Sequence, residues 1–310
     1  MLSLYSMPPV IRQMRPSDLK VVCRIDRDAF EMYRRQQRQV VHPYRLRTPE
    51  NMNAAFRRPY PGVVIESPPG AIAGYCFTHV WGSMGWLGTL GVAPGKQGFG
   101  LGRAVIAAGL DLLREAGCST LALETMPESG KNLALYTRLG LEPRQLTLLC
   151  QGTPRAAEVT HFERWQSGDD LRRIAGQFVP GLDPTPAARW LETEGSGETL
   201  VWLEDGEPVA FAALRGTARR LEGTQVVITV EVAACLPKAA HHWPRYLREM
   251  EAYAERQGKA GLALPVNTRQ IDLLRRALED GFHIAHTRVR MAAGGSLGAP
   301  DALLMLTLAM

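Results

Sequence analysis

The chain has 310 residues, enough for one large domain or two of about 150. Apolar residues make up 45% and charged residues 22%, an ordinary globular balance; the net charge of +5 comes without a block of like charge and gives no case for nucleic acid as a partner. No run reaches about 18 apolar residues and the N-terminal MLSLYSMPPVIRQ lacks a leader pattern, so no membrane contact and a cytoplasmic setting are expected.

Taken in chain order, SDLKVVCRIDRDAF (17–30) opens on capping residues and continues with an apolar periodicity that predicts a helix. The basic stretch 34–47 reads as a solvated helix face and loop, or as a wall that meets an anionic ligand. Strands are predicted at 63–66, at 71–80 and in the apolar run 86–92. VAPGKQGFGLGR (92–103) then sets Gly98, Gly100 and Gly102 at alternate positions ahead of a helical run, 101–116. Leu101, Val105, Ala108 and Leu112 form the predicted core stripe of that helix. GCSTLAL (117–123) reads as a strand ending at Glu124, and a helix then leads to Gly140 and another strand.

After a break near 152–158 the same plan returns. GCSTLAL (117–123) becomes GKAGLAL (258–264), a shift of 141, and Leu139-Gly140-Leu141 becomes Asp280-Gly281-Phe282. AIAGYCFTHV (71–80) resembles EPVAFAALRG (207–216), and DDLRRIAGQF (169–178) matches the first helix. Each half reads β-α-(α)-β-β-β-α-β-α-β, which predicts a duplicated α/β fold with units 1–153 and 156–310. In the second copy Trp243, Leu247, Met250 and Ala254 form the helix stripe. Gln97, Gly98, Gly100 and Gly102 fall on Lys238, Ala239, His241 and Trp243, so side chains replace the glycines.

Glycine takes positive φ without strain and lets backbone approach a ligand closely. A glycine-rich turn feeding a helix start aims unpaired N–H groups at one point, which suits an anion and most often a phosphate. A nucleoside-triphosphate loop needs a Lys-Ser/Thr pair that is missing here. A dinucleotide fingerprint gains from Glu124 but lacks its third small residue at Val105, and a strand meander precedes it instead of βαβ units. The five cysteines are scattered and odd in number without CxxC, which predicts free thiols in a reducing compartment, Cys76 and Cys235 buried. No metal constellation is expected, because His241-His242 has no ligand at suitable spacing.

Gln97-Gly98-Phe99-Gly100-Leu101-Gly102 resembles the Q/R-x-x-G-x-G/A loop of the GNAT superfamily of N-acetyltransferases. Leu90-Gly91-Val92-Ala93-Pro94 resembles the end of that family's fourth strand, and the run from Asn132 through Tyr136 to Gly140 its helix before the last strands. The resemblance covers residues 10–150 in order, and the second half resembles the same fold without the loop. It implies a tandem protein of two GNAT-like domains, each a mixed, mostly antiparallel twisted sheet flanked by helices.

The resemblance also implies a function: an acetyl-CoA-dependent transferase acting on a primary amine of a small molecule or protein, without a metal, as a monomer or homodimer. Leu90, Gly91, Val92, the loop from Gln97 to Arg103, Ser129 and Asn132 would bind the co-substrate. Ser129 stands where the family often has Asn. Acetylating an amine needs a base for its proton and profits from an acid for the departing thiolate. The family's ribosomal-protein branch has a glutamate and a tyrosine at the spacing of Glu124 and Tyr136, which become candidate base and acid; the 141 shift turns them into Pro265 and Ala277. His79 and Glu66 are reserve bases. An acyl-CoA-binding or sensing module without catalysis is the alternative, with a nucleotide-dependent oxidoreductase behind it.

Overall fold

A computed structural model describes residues 8–36, 56–57, 62–155, 162–166, 168–216, 227–295, 297, 303–306 and 308. The first half runs β1 (Val10–Gln13), α1 (Leu19–Gln36), β2 (Val63–Glu66), β3 (Ile72–Trp81), β4 (Met84–Val92), α2 (Leu101–Glu115), β5 (Thr120–Thr125), α3 (Gly130–Thr137) and β6 (Glu142–Gly152). The second half repeats that order with β7 (Phe162–Arg164), α4 (Asp170–Gly176), α5 (Thr185–Thr193), β8 (Gly197–Glu204), β9 (Glu207–Gly216), β10 (Val227–Cys235), α6 (Trp243–Arg256), β11 (Gly261–Asn267), α7 (Ile271–Glu279) and β12 (His283–Gly294). A last strand, β13 (Leu303–Leu306), has no described counterpart in the first half. The basic stretch beyond residue 36 lies outside the described residues.

The strands join into one sheet in the order β1-β2-β3-β4-β5-β12-β6-β11-β10-β9-β8-β7. Each half has given its last strand to the other. β12 lies against β5, pairing Arg290 with Glu124 and Leu121 with Ala293, while β6 lies against β11, pairing Leu149 with Pro265 and Leu262 with Gly152. Subtracting 141 turns one register into the other, so the halves are related by a pseudo-twofold axis. Thr147 and Arg288, which are themselves 141 apart, face each other on it. Exchange leaves neither β5 nor β11 with a bare edge at the seam, and it makes the two expected sheets continuous.

Packing follows the pattern of the strands. Leu19, Val22 and Ile25 of α1 cover Val64, Tyr75 and Phe77 on one face of the first half. On the other face α2 covers Cys76, Leu87 and Leu123. Its buried stripe is Leu101, Val105, Ile106, Gly109, Leu110 and Leu113, one position round from the predicted one, with Ala108 and Leu112 only half-buried. Gly109 explains the rotation, since a Cβ there would lie 3.0 Å from Leu87 and 3.2 Å from Cys76; the helix presents its bare backbone to the sheet. In α6 the predicted Trp243, Leu247, Met250 and Ala254 are all buried. A further cluster crosses between the halves, bringing Trp81, Met84 and Trp86 against Leu171, Leu182 and Leu306. Cys76, Cys118, Cys150 and Cys235 are buried free thiols, and burial pushes the Cys76 thiol up to about 12.

Candidate functional site

Strands β4 and β5 run parallel and pair only from Met84–Thr120 to Leu87–Leu123, after which they part. The cause is visible on the other edge of β4. Cys76 of β3 faces Leu90 and Thr78 faces Leu87, so β4 spends one extra residue over that interval, a bulge around Gly88 and Thr89. Beyond it, no described strand pairs with β4 on the β5 side. Thr89 and Leu90 are half-buried there, Gly91 and Val92 are buried, and a parallel pair has opened into a wedge.

The glycine loop closes the broad end of this wedge. Gly98 and Gly100 hold positive φ, +87° and +78°, and a Cβ on either would meet nothing within 4 Å. Those two glycines are therefore required by backbone conformation, with open space beside them. Gly100 caps α2, so the N–H groups of Leu101, Gly102 and Arg103 open a helix turn that has no acceptors of its own. Gln97 Nε2 donates to the Val92 carbonyl at 3.1 Å and fastens the loop to the end of β4. Phe99 is 78% exposed at the tip. A ring of amide donors at a helix N-terminus beside an open parallel edge can take a diphosphate and an extended, amide-bearing arm.

Glu124 and Tyr136 meet this wedge from opposite faces of the sheet. Side chains alternate along β5, so Glu124 shares the face of Ala122, which packs near Trp86, and Leu123 shares the other with Tyr136. The Tyr136 hydroxyl is buried, and desolvation, with Cys76 nearby, holds it well above the ordinary tyrosine range. It keeps its proton at neutral pH. The Glu124 side chain is 1% exposed. Its Oε1 accepts from Thr147 Oγ1 at 2.5 Å and from Arg290 Nη2 at 2.7 Å and Nε at 3.1 Å. Its Oε2 accepts no hydrogen bond and has Arg288 Nη1 at 3.6 Å.

The reserve bases differ. Glu66 is occupied by Arg12 Nε at 2.7 Å and by the Gly70 N–H at 2.7 Å, on the antiparallel β1–β2 pair at the sheet edge. His79 is buried, its ring 5.1 Å from that of Trp86 and its Nε2 2.5 Å from where a Gly88 Cβ would be. That places it at the bulge, on the Glu124 face. Ser129 is buried as the N-cap of α3 and makes no side-chain cap bond; Asn132, one turn in, is half-buried. Arg288, Arg290 and Thr147 escaped the reading of the sequence. Two arginines at alternate positions of a strand whose second half, VRMAAG, is otherwise apolar were the available signal for Arg290, because a buried charge requires a partner.

The second copy keeps the frame of this wedge. Its β10 and β11 pair over only three positions, Val227–Gly261 to Thr229–Ala263, and β10 bulges between Val230 and Val232. There, however, the edge is taken: β13 pairs antiparallel with Val232–Cys235 and fills the space. The loop equivalent is a 3-10 turn, Pro237–His242, and Trp243 is buried where Gly102 stands in the first half. Among the described residues no cluster of three metal-ligating side chains occurs, and no helix is long and apolar enough to cross a membrane.

Residues 25–141 match the model of the Acetyltransferase (GNAT) family. A mycothiol acetyltransferase of Clavibacter sepedonicus is 41% identical over 76 residues, which are 24% of this chain and 25% of that protein. The chain thus spans about a quarter of the length of the curated relatives it matches. A crystal structure from Pyrococcus horikoshii superposes with a TM-score of 0.70 at 15% identity, covering 99% of this chain and 97% of the other. A tandem GNAT protein from the clavulanic acid biosynthesis pathway gives 0.55 at 15% identity, covering 93% and 99%. The open wedge, the loop at its mouth and these likenesses agree: residues 25–141 match the GNAT acetyltransferase family, and the whole chain shares its fold with a tandem GNAT protein.

Proposed function

We propose that the first half, residues 1–153, is an acetyl-CoA-dependent N-acetyltransferase acting on a primary amine, and that the second half, 156–310, is a copy without a site of its own. The observation that carries this reading is the contrast between the two wedges, one open behind a glycine loop and one filled by β13. Acetyl-CoA supplies the activated acyl group. The N–H groups from Gly98 to Arg103 take its diphosphate, and the free edge from Leu90 to Val92 takes its pantetheine arm, with Ser129 and Asn132 beside it at the start of α3.

Each remaining role falls to a side chain of this protein. Glu124 Oε2, a buried acceptor without a hydrogen bond, receives the proton of the attacking amine directly or through water. Tyr136, raised by desolvation, keeps its proton until the thiolate leaves and then donates it. The amine nitrogen bonds to the acetyl carbon as the carbon–sulfur bond breaks, so no covalent enzyme intermediate is needed. The curated relatives are named mycothiol acetyltransferases, which supports acetyl transfer as the reaction class.

Calorimetry tests the reading. One acetyl-CoA per chain is expected, and Gly102→Trp, which copies the second half's residue, should abolish it. Two equivalent sites, or none, would overturn the proposal. Binding without release of CoA in the presence of a wide set of amines would favour a sensing module.

A further inference from the structure

We infer that Arg290 of β12 is a positioning residue for the first half's site, so that the second half completes a centre it does not itself possess. This rests on the reading of Glu124 and Tyr136 given above. Arg290 is among the most deeply buried side chains of the protein, although it is a cation on a mostly apolar strand. Burying a charge is costly unless it is paired and hydrogen-bonded. Its partners come from two elements. Nε and Nη2 donate to Glu124 Oε1 on β5, and Nη2 also donates to the Leu306 carbonyl on β13 at 2.6 Å.

That arrangement has a directional consequence. With Oε1 held by Arg290 and by Thr147, the carboxylate is anchored through one oxygen, and Oε2, which makes no hydrogen bond and has Arg288 Nη1 at 3.6 Å, is the atom available to an incoming amine. Fixing a base through its second oxygen is the kind of preorganisation that acid–base catalysis exploits. The pseudo-symmetry supports a specific role over a general one. The residue equivalent to Arg290 is Leu149, which faces Pro265 where the other copy has Glu124. The pair on β5 and β12 therefore has no counterpart at that register position, where the other copy is apolar, although Arg215 Nε and Glu231 Oε1 lie 2.6 Å apart at the bulge of β10. Leu306, the other partner, belongs to the strand that fills the closed wedge, so one guanidinium ties the filled wedge to the open one.

The test compares Arg290→Met, Arg290→Lys, Glu124→Gln and the double variant Arg290→Met/Glu124→Gln in the full-length chain. Arg290→Met is expected to lower kcat by about tenfold or more, inside the range of a general base that has lost its orientation, while acetyl-CoA affinity stays within about twofold. Arg290→Lys should recover part of kcat, since it restores the cation without the fork. The double variant should be no slower than Glu124→Gln alone, because Arg290 acts through that carboxylate. A wild-type chain that turns over amines while Arg290→Met matches its kcat overturns this inference alone. So does a double variant whose losses simply add. A wild-type chain that binds no acetyl-CoA overturns the functional reading and this inference with it. Should Arg290→Met fail to fold, Arg290→Lys decides: an unchanged kcat and pH profile in a folded protein overturns the inference.

Discussion

The two halves share a bulge and a splayed parallel pair, yet only in the second is the splayed edge covered by a further described strand. In the first, no described strand pairs with β4 on the β5 side beyond Leu87, and positive-φ glycines stand at its end. In the second, β13 covers the corresponding edge and Trp243 closes its mouth. The wedge is thus a property of the fold, whereas a site is a wedge kept empty. An unfilled apolar gap is destabilising, and a copy relieved of binding can regain stability by filling it.

The largest test of this comparison is to separate the halves. Residues 1–153 alone would have β5 without β12, β6 without β11, and Trp81, Met84 and Trp86 without their cover. The fragment is expected to aggregate or unfold, as circular dichroism and gel filtration would report. A stable, monomeric, fully active fragment would show that the second half is a passenger.

Next in size are the residues that one copy has and the other has replaced by Pro265 and Ala277. Tyr136→Phe should retain acetyl-CoA affinity and lower kcat, and Glu124→Gln should do the same while flattening the acidic limb of the rate profile. Each loss should fall near 10²–10⁴-fold, roughly what general acid–base groups contribute. If Glu124→Gln stays within about threefold of wild type, far short of that range, His79 at the bulge is the next base to test.

A smaller effect sharpens the account of the second wedge. Trp243→Gly restores the glycine of the first copy but leaves β13 in place, so no second acetyl-CoA should bind. The cavity should still cost about 3–5 kcal/mol in denaturant unfolding, as for other large-to-small core changes. A gain of a second calorimetric site would mean that Trp243, rather than β13, is what closes the copy.

The smallest effect concerns the seam. His286 of β12, exposed at the surface, is held below its ordinary value by partial desolvation and by Arg288, so the folded chain protonates it less readily than the unfolded chain. The unfolded state therefore binds more protons below the unfolded value, and stability is lost as pH falls through about 6.5 and beyond. The melting temperature should drop modestly between about pH 7 and 5, and His286→Gln should flatten that slope. An identical slope in the variant would assign the loss to other groups.

Much of this molecule was legible before any coordinates. The 141-residue repeat gives the order of elements in both halves, and the glycine loop marks the mouth of the open wedge. What escaped did so for a definite reason. Repeats in sequence show that two units resemble each other, and they carry no information on which unit's β5 receives which last strand, since β6 and β12 suit either place. Arg288 and Arg290 could be flagged as charges in need of a partner but not assigned to the site, because that partner lies in the other half, across the exchange. The stripe on α2 was off by one position because Gly109 buries backbone, which an apolar periodicity does not register. And β13 had no twin in the first half to announce it.

The exchange of last strands also sets a timetable for synthesis. Glu124 and Arg290 are 166 residues apart, so when β5 leaves the ribosome its partner strand has not been made. At roughly 5–20 residues per second, about ten to thirty seconds pass before β12 can close the first half. Throughout that interval β5 carries an open edge and β6 waits for two neighbours. Such long-range closure slows folding and invites pairing with the wrong chain. During that wait the glycine loop at 97–103 is already synthesised, while β5 still lacks its neighbour.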